Sequence, residues 1–129
     1  MLKDSHAFSS ISVDDIEKAK TFYGEVLGLS VETNEMGVID IKGGGESHFI
    51  AYPRQDHQPA TFTVMNFPVA DIERAVDDLI SRGVTFEQYN LPEIKTDAKG
   101  IARDEYGPPI AWFKDPAGNI LSVMEDPRA

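Results

Sequence analysis

Few side chains in this sequence are equipped for chemistry. There are three histidines, His6, His48 and His57, and no cysteine. Thiolate nucleophiles, disulfides and cysteine-based zinc sites are therefore excluded. His6 lies in a polar amino-terminal stretch and reads as a frayed residue. His48 follows Gly43-Gly44-Gly45-Glu46-Ser47 and opens an apolar run, where it can serve as a lone donor or a pH-sensitive group. His57 falls in the polar stretch 53–59 and is expected to be solvated. Glu87, Glu93, Asp97, Asp104 and Glu105 flank or occupy a long loop. Carboxylates so placed either hold a cation or keep the loop solvated. The glycine run lacks the lysine and the following helix of a phosphate cradle, and there is no nucleophile elbow or carboxylate dyad. A formal charge of −10 argues against nucleic acid, which is bound by neutralising phosphates with Lys and Arg.

The elements that must position these residues come in two copies. Val13-Asp14-Asp15-Ile16-Glu17-Lys18-Ala19 returns as Val69-Ala70-Asp71-Ile72-Glu73-Arg74-Ala75, and Gly28 returns as Gly83. A repeat of this length points to a duplicated supersecondary unit. Each copy begins with an apolar run of strand type, 7–13 and 60–69. Alternation puts Ile11 and Val13 on one face and Phe8, Ser10 and Ser12 on the other. Asp15 and Asp71 predict helix starts, and Gly28 and Gly83 predict stops, giving helices near 15–27 and 71–82. Strands are expected at 29–33, 38–41 and 48–52 in the first copy. In the second they are expected at 84–89, 109–114 and 119–125, with a long loop over 90–109. Asp115-Pro116-Ala117-Gly118-Asn119 has the chemistry of a tight hairpin turn. The expectation is an α+β fold of one 129-residue domain, with βαβββ modules over about 6–54 and 60–127.

Val13-x-Asp15-Ile16-x-x-Ala19-x-x-Phe22-Tyr23, Leu27-Gly28-Leu29 and the closing Phe113-Lys114-Asp115-Pro116-Ala117-Gly118-Asn119 resemble the vicinal oxygen chelate superfamily. This group includes glyoxalase I, extradiol dioxygenases and the fosfomycin- and bleomycin-resistance proteins. The resemblance implies a curled mixed β-sheet half-barrel with helices outside and a ligand cleft on the concave face. It also implies a homodimer, with the cleft closed within one chain or across two. In metal-dependent members, a histidine stands seven residues before each helix-start Asp, and a Glu stands three residues after the Asn of the final turn. Here those positions carry Phe8, Val64 and Ser122, and a fourth falls near His48 or Ile50, so at most one usual ligand position remains. A divalent metal needs several lone-pair donors converging at about 2.0–2.2 Å, and these residues do not supply them. The expectation is therefore no metal and no cofactor.

The resemblance and strand parity together give a cleft lined by Phe8, Ser10, His48, Val64, Asn66, Trp112, Ser122 and Met124, covered in part by the long loop 90–109. Its mixed polar and apolar character suits a binding pocket more than an acid–base pair. The favoured reading is a metal-free small-molecule-binding protein of the glyoxalase/bleomycin-resistance type, taking an aromatic or cationic ligand. The alternative is a glyoxalase-like lyase or dioxygenase-type enzyme with a non-standard divalent metal site. No apolar stretch approaches membrane-spanning length, so a cytoplasmic protein is expected.

Overall fold

The computed structural model describes residues 1–129. The chain divides into two compact units, Met1–Gln58 and Pro59–Ala129. In the first, the order is β1 (Ser9–Val13), α1 (Ile16–Lys20), β2 (Ser30–Thr33), β3 (Ile39–Lys42) and β4 (His48–Pro53). The Asp15 carboxylate caps α1, accepting from the backbone N–H groups of Glu17 and Lys18 at 3.1 Å. The helix then widens into a π-helical segment, Thr21–Val26, where Leu27 N–H reaches back five residues to Phe22 O. Gly28, at φ +73°, ends it.

The sheet order is β1-β4-β3-β2, with β1 and β4 parallel and the other pairs antiparallel. Helix α1 packs on β4. Ile11, Val13, Ile39, Ile41, Phe49 and Ala51 are buried, as are Ala19 and Tyr23 from the helical segment. Tyr23 meets Phe49 edge-on at 5.6 Å. Phe8, Ser10, Asp40, Lys42 and His48 belong to the opposite, uncovered face, as alternation predicts.

The second unit repeats the plan with β5 (Thr63–Val69), α2 (Ile72–Ser81), β6 (Ile101–Ala102), β7 (Ile110–Lys114) and β8 (Ile120–Glu125), in the order β5-β8-β7-β6. Asp71 caps α2 through Arg74 N–H, and α2 packs on β8. The repeat extends to single bonds. Arg54 N–H donates to Val13 O in the first unit, and Asp126 N–H donates to Val69 O in the second. The strands thus form two four-stranded mixed sheets of an α+β fold.

Three expectations need correction. The strand expected over 84–89 does not form as one piece. Phe86 bridges Phe113, and Glu87 N–H donates to Trp112 O, but the next partner along β7 is Ile101 opposite Ala111. Ile101 stands where Gln88 would stand in an unbroken strand. The third strand of this unit is therefore split by an insertion, and the supposed loop 90–109 contains its second half. The insertion is held at its neck, where Thr96 bonds both N–H and O of Tyr89. The first strand begins at Thr63, not Ala60, and its register shifts between Thr63 and Met65. This bulge changes which residues share a face.

Gly100 closes the neck. Its φ is +87°, and an added Cβ would sit 2.8 Å from Phe86 Cβ and 3.1 Å from Glu87 O. Gly100→Ala is expected to destabilise the fold by about 1–3 kcal/mol through the left-handed backbone alone, with the clash adding to it. Urea denaturation checks this, and a stability equal to wild type would contradict the split-strand packing.

The closing turn forms as its chemistry predicts. Buried Asp115 accepts from Ala117 N–H at 2.9 Å and from Asn119 N–H at 2.8 Å, and its second oxygen accepts from the Asn119 amide at 2.9 Å.

Candidate functional site

In the first unit, Phe8, Ser10 and His48 lie on the uncovered sheet face. Phe8 is 55% exposed, and its ring lies 5.1 Å from the His48 imidazole. His48 Nδ1 is 3.0 Å from Asp40 Oδ1. Lys42 Nζ lies 3.9 Å from Asp40 and 3.6 Å from Glu32. This arrangement supplies one imidazole beside one carboxylate, with a lysine competing for the same acids. Nowhere in the chain do three His, Cys, Asp or Glu side chains group so as to hold one ion. The residues present do not fit the divalent metal of the resembled family.

The second unit brings Asn66, Trp112, Ser122 and Met124 to one face. The pairings are Asn66 with Ser122, Pro68 with Met124 and Trp112 with Ser122. Ser122 is fully buried, and its hydroxyl donates to Asn66 Oδ1 at 2.5 Å. Val64 sits at the bulge. Thr63 instead pairs with Ile120, two residues from Ser122, and its Oγ1 accepts the Trp112 indole N–H at 3.1 Å. Thr63 is a site-face residue that simple alternation assigns to the wrong side.

Trp112 is the centre of this face. It is half-buried, anchored through its N–H by Thr63 and met edge-on by Tyr89 at 5.6 Å. Its remaining surface lines a cavity of about 490 Å³. Ile110 lies beside it. The walls come from the insertion (Pro92–Lys95) and from the segment after β6 (Arg103–Glu105), with Ala102 and Pro108 completing the lining. A volume in this range suits a small molecule. Of the predicted cleft residues Trp112 alone lines this cavity, joined by Glu93, Asp104 and Glu105 from the carboxylates singled out in the long loop.

The walls are charged. Arg103 is engaged by Glu73 at 2.8 Å. Lys99, beside Gly100 at the neck of the insertion, bonds Asp77 of α2, which holds its ammonium pKa above the ordinary lysine range. The Arg103 pair ties a cavity wall to α2, and the Lys99 pair ties the neck of the insertion to the same helix. Both are exposed, so they orient the segments more than they stabilise them.

His57 departs from expectation. It is half-buried, and its Nδ1 lies 2.6 Å from Ser12 Oγ.

Comparison with known proteins places the chain in a family. Residues 5–123 match the Glyoxalase/Bleomycin resistance protein/Dioxygenase superfamily, and the chain belongs to it. Among solved structures, a member of that superfamily from Sphaerobacter thermophilus aligns with a TM-score of 0.70 at 23% identity. That alignment covers 93% of this chain and 97% of the other. TnmS3, an antibiotic binding protein from a Streptomyces species, aligns with a TM-score of 0.69 at 22% identity, covering 97% and 98%. A glyoxalase family protein from Enterococcus faecalis aligns at 0.68 and 22%, covering 97% and 100%. At these identities the likeness concerns the fold. No curated protein matches the sequence significantly. No helix is long and apolar enough to cross a membrane.

Proposed function

We propose that this protein binds an aromatic or cationic small molecule, without a metal ion, in the cavity floored by Trp112. The observation that carries this reading is the indole itself. Its N–H is already satisfied by Thr63 and one side is braced by Tyr89, so the ring is fixed in place before any ligand arrives. A preordered aromatic surface loses little entropy on binding. The lining adds Ile110, Ile94, Pro92 and Pro108 as apolar contacts, and Glu93, Asp104 and Glu105 as acids against Lys95 and Arg103. With Arg103 held by Glu73, a positively charged ring system meets three carboxylates and one uncommitted ammonium. The antibiotic-binding role named for TnmS3, which shares the fold, is of the same kind.

A thermal-shift panel tests the proposal. It uses proflavine as a planar cation, acridone as a neutral ring system and a naphthalene sulfonate as an anion, each with and without chelator. Binding to the native state raises the melting temperature by mass action. Proflavine is expected to raise it most, with chelator making no difference. A panel in which no compound shifts the melting temperature would contradict the reading. Elemental analysis of untagged protein bears on the metal directly, and one tightly held equivalent lost in His48→Ala would favour the enzymatic alternative.

A further inference from the structure

The short contact between Ser12 and His57 lies in the first unit and plays no part in the binding cavity. Ser12 is on β1, and His57 comes 45 residues later, on the tether that follows β4. Two backbone bonds fix that tether. Arg54 N–H donates to Val13 O at 2.9 Å, and His57 N–H donates to Arg54 O at 3.3 Å. The imidazole is thereby held against the hydroxyl at 2.6 Å, within the 2.6–3.2 Å reach of a working nucleophile and base. The pair opens on a second cavity, of about 390 Å³, lined by Ser12, Arg54, Asp56, His57 and Gln58. Arg54 is bound there by both oxygens of Asp56 at 2.8 Å. That pairing pushes the guanidinium pKa further up and holds the Asp56 carboxyl below its usual range. A purely structural tether would need the hydrogen bond but not a polar cavity beside it, nor a guanidinium and an amide on its wall.

We infer that Ser12 and His57 form a nucleophile–base pair able to hydrolyse small activated carboxylic esters. In the first half-reaction, Ser12 Oγ attacks the ester carbonyl carbon while its proton passes to His57 Nδ1. The carbonyl electron pair moves onto oxygen, toward the side-chain amide of Gln58 on the cavity wall. Collapse of this tetrahedral species breaks the bond to the alcohol oxygen. The departing oxygen takes the proton from His57, leaving an O-acyl serine. In the second half-reaction, water gives a proton to His57 and attacks the acyl carbon. Collapse returns that proton to Ser12 Oγ and releases the carboxylic acid. No oxidant, metal or further reactant is needed.

The test uses the full chain, a fluorophosphonate as serine-directed probe and para-nitrophenyl acetate as ester. The probe is expected to label Ser12, located by peptide mass mapping. Ser12→Ala should remove the label and lower nitrophenolate release at least about tenfold. His57→Gln puts a hydrogen-bonding amide at the position that cannot take the proton. It should lower both readings, since general base assistance contributes about 10²–10⁴-fold. Ser5→Ala should change neither.

A second measurement does not depend on how well those variants fold or turn over. The chain has no cysteine, so Ser12→Cys introduces a single thiol. Its alkylation by iodoacetamide should run about tenfold faster than that of the Ser5→Cys thiol, and His57→Gln in the same background should erase the difference. The inference is overturned if the probe spares Ser12, if its labelling is indifferent to His57→Gln, or if the two thiols react at equal rates.

Discussion

Replacing Phe113 with alanine is expected to destabilise the protein by about 3–5 kcal/mol, as large-to-small changes of buried aromatics do. Phe113 is 1% exposed. It lies on β7 at the point where the split third strand begins, opposite Phe86 on one side and Leu121 on the other. Its ring meets Phe86 edge-on at 5.4 Å. Truncation would leave a cavity and free Phe86, whose Cβ also closes against Gly100. The loss is a large share of the roughly 5–15 kcal/mol that holds a domain together. Denaturant titration should show a lower midpoint, and hydrogen exchange should quicken over the insertion between Glu87 and Gly100. Phe113→Leu keeps most of the volume and should lose less. If exchange in the insertion stayed unchanged in Phe113→Ala, the coupling of this contact to the cavity walls would be wrong.

Trp112→Ala is expected to weaken binding of a planar aromatic more than any other change in the cavity. A stacked pair contributes about 0.5–1.5 kcal/mol beyond the area it buries, and the lost apolar contact adds to that at about 25 cal/mol per Å². Together these predict at least about a tenfold rise in Kd for proflavine. Two companion variants separate the contributions. Trp112→Phe keeps an aromatic face but removes the donor to Thr63, so it should fall between wild type and alanine. Ser122→Ala should leave binding nearly unchanged, because Ser122 is fully buried and engaged with Asn66. Its effect should appear in stability, at about 1 kcal/mol for one lost buried hydrogen bond. Isothermal calorimetry on all three variants checks the order.

Much of the fold was legible because the repeat carries its own punctuation. Asp15 and Asp71 cap the helices as their positions in the repeat suggest, and alternation assigns Ile11 and Val13 to the buried face. The split strand was not legible. Phe86 and Ile101 become neighbours on β7 through tertiary pairing, and the residues between them carry no sign that one strand has been interrupted. The bulge beside Val64 was equally silent, since Thr63-Val64-Met65 holds neither glycine nor proline to mark it. It moved Thr63 onto the face with Trp112, which a strict period of two cannot foresee. Trp112 could be singled out as the only tryptophan, on a hairpin whose pattern left cleft lining and core packing both open. The cavity walls were legible only coarsely, as a long loop over 90–109 expected to cover the cleft in part; that Pro92–Lys95 and Arg103–Glu105 would form them was not, because the loop carries no pattern that fixes its path. The pairing of His57 with Ser12 spans 45 residues and leaves no local trace, so a polar neighbourhood suggested only a solvated side chain.

The fluorescence of Trp112 gives the most direct test of the binding proposal, because this is the only tryptophan in the chain and it lines the cavity. Proflavine is titrated into the protein in buffer containing chelator, with indole emission followed and corrected for absorption by the dye. A saturable change is expected that gives one Kd and weakens with added salt as the acidic walls are screened. An indole signal unaffected by proflavine, or binding that appears only when a divalent metal is restored, would contradict it.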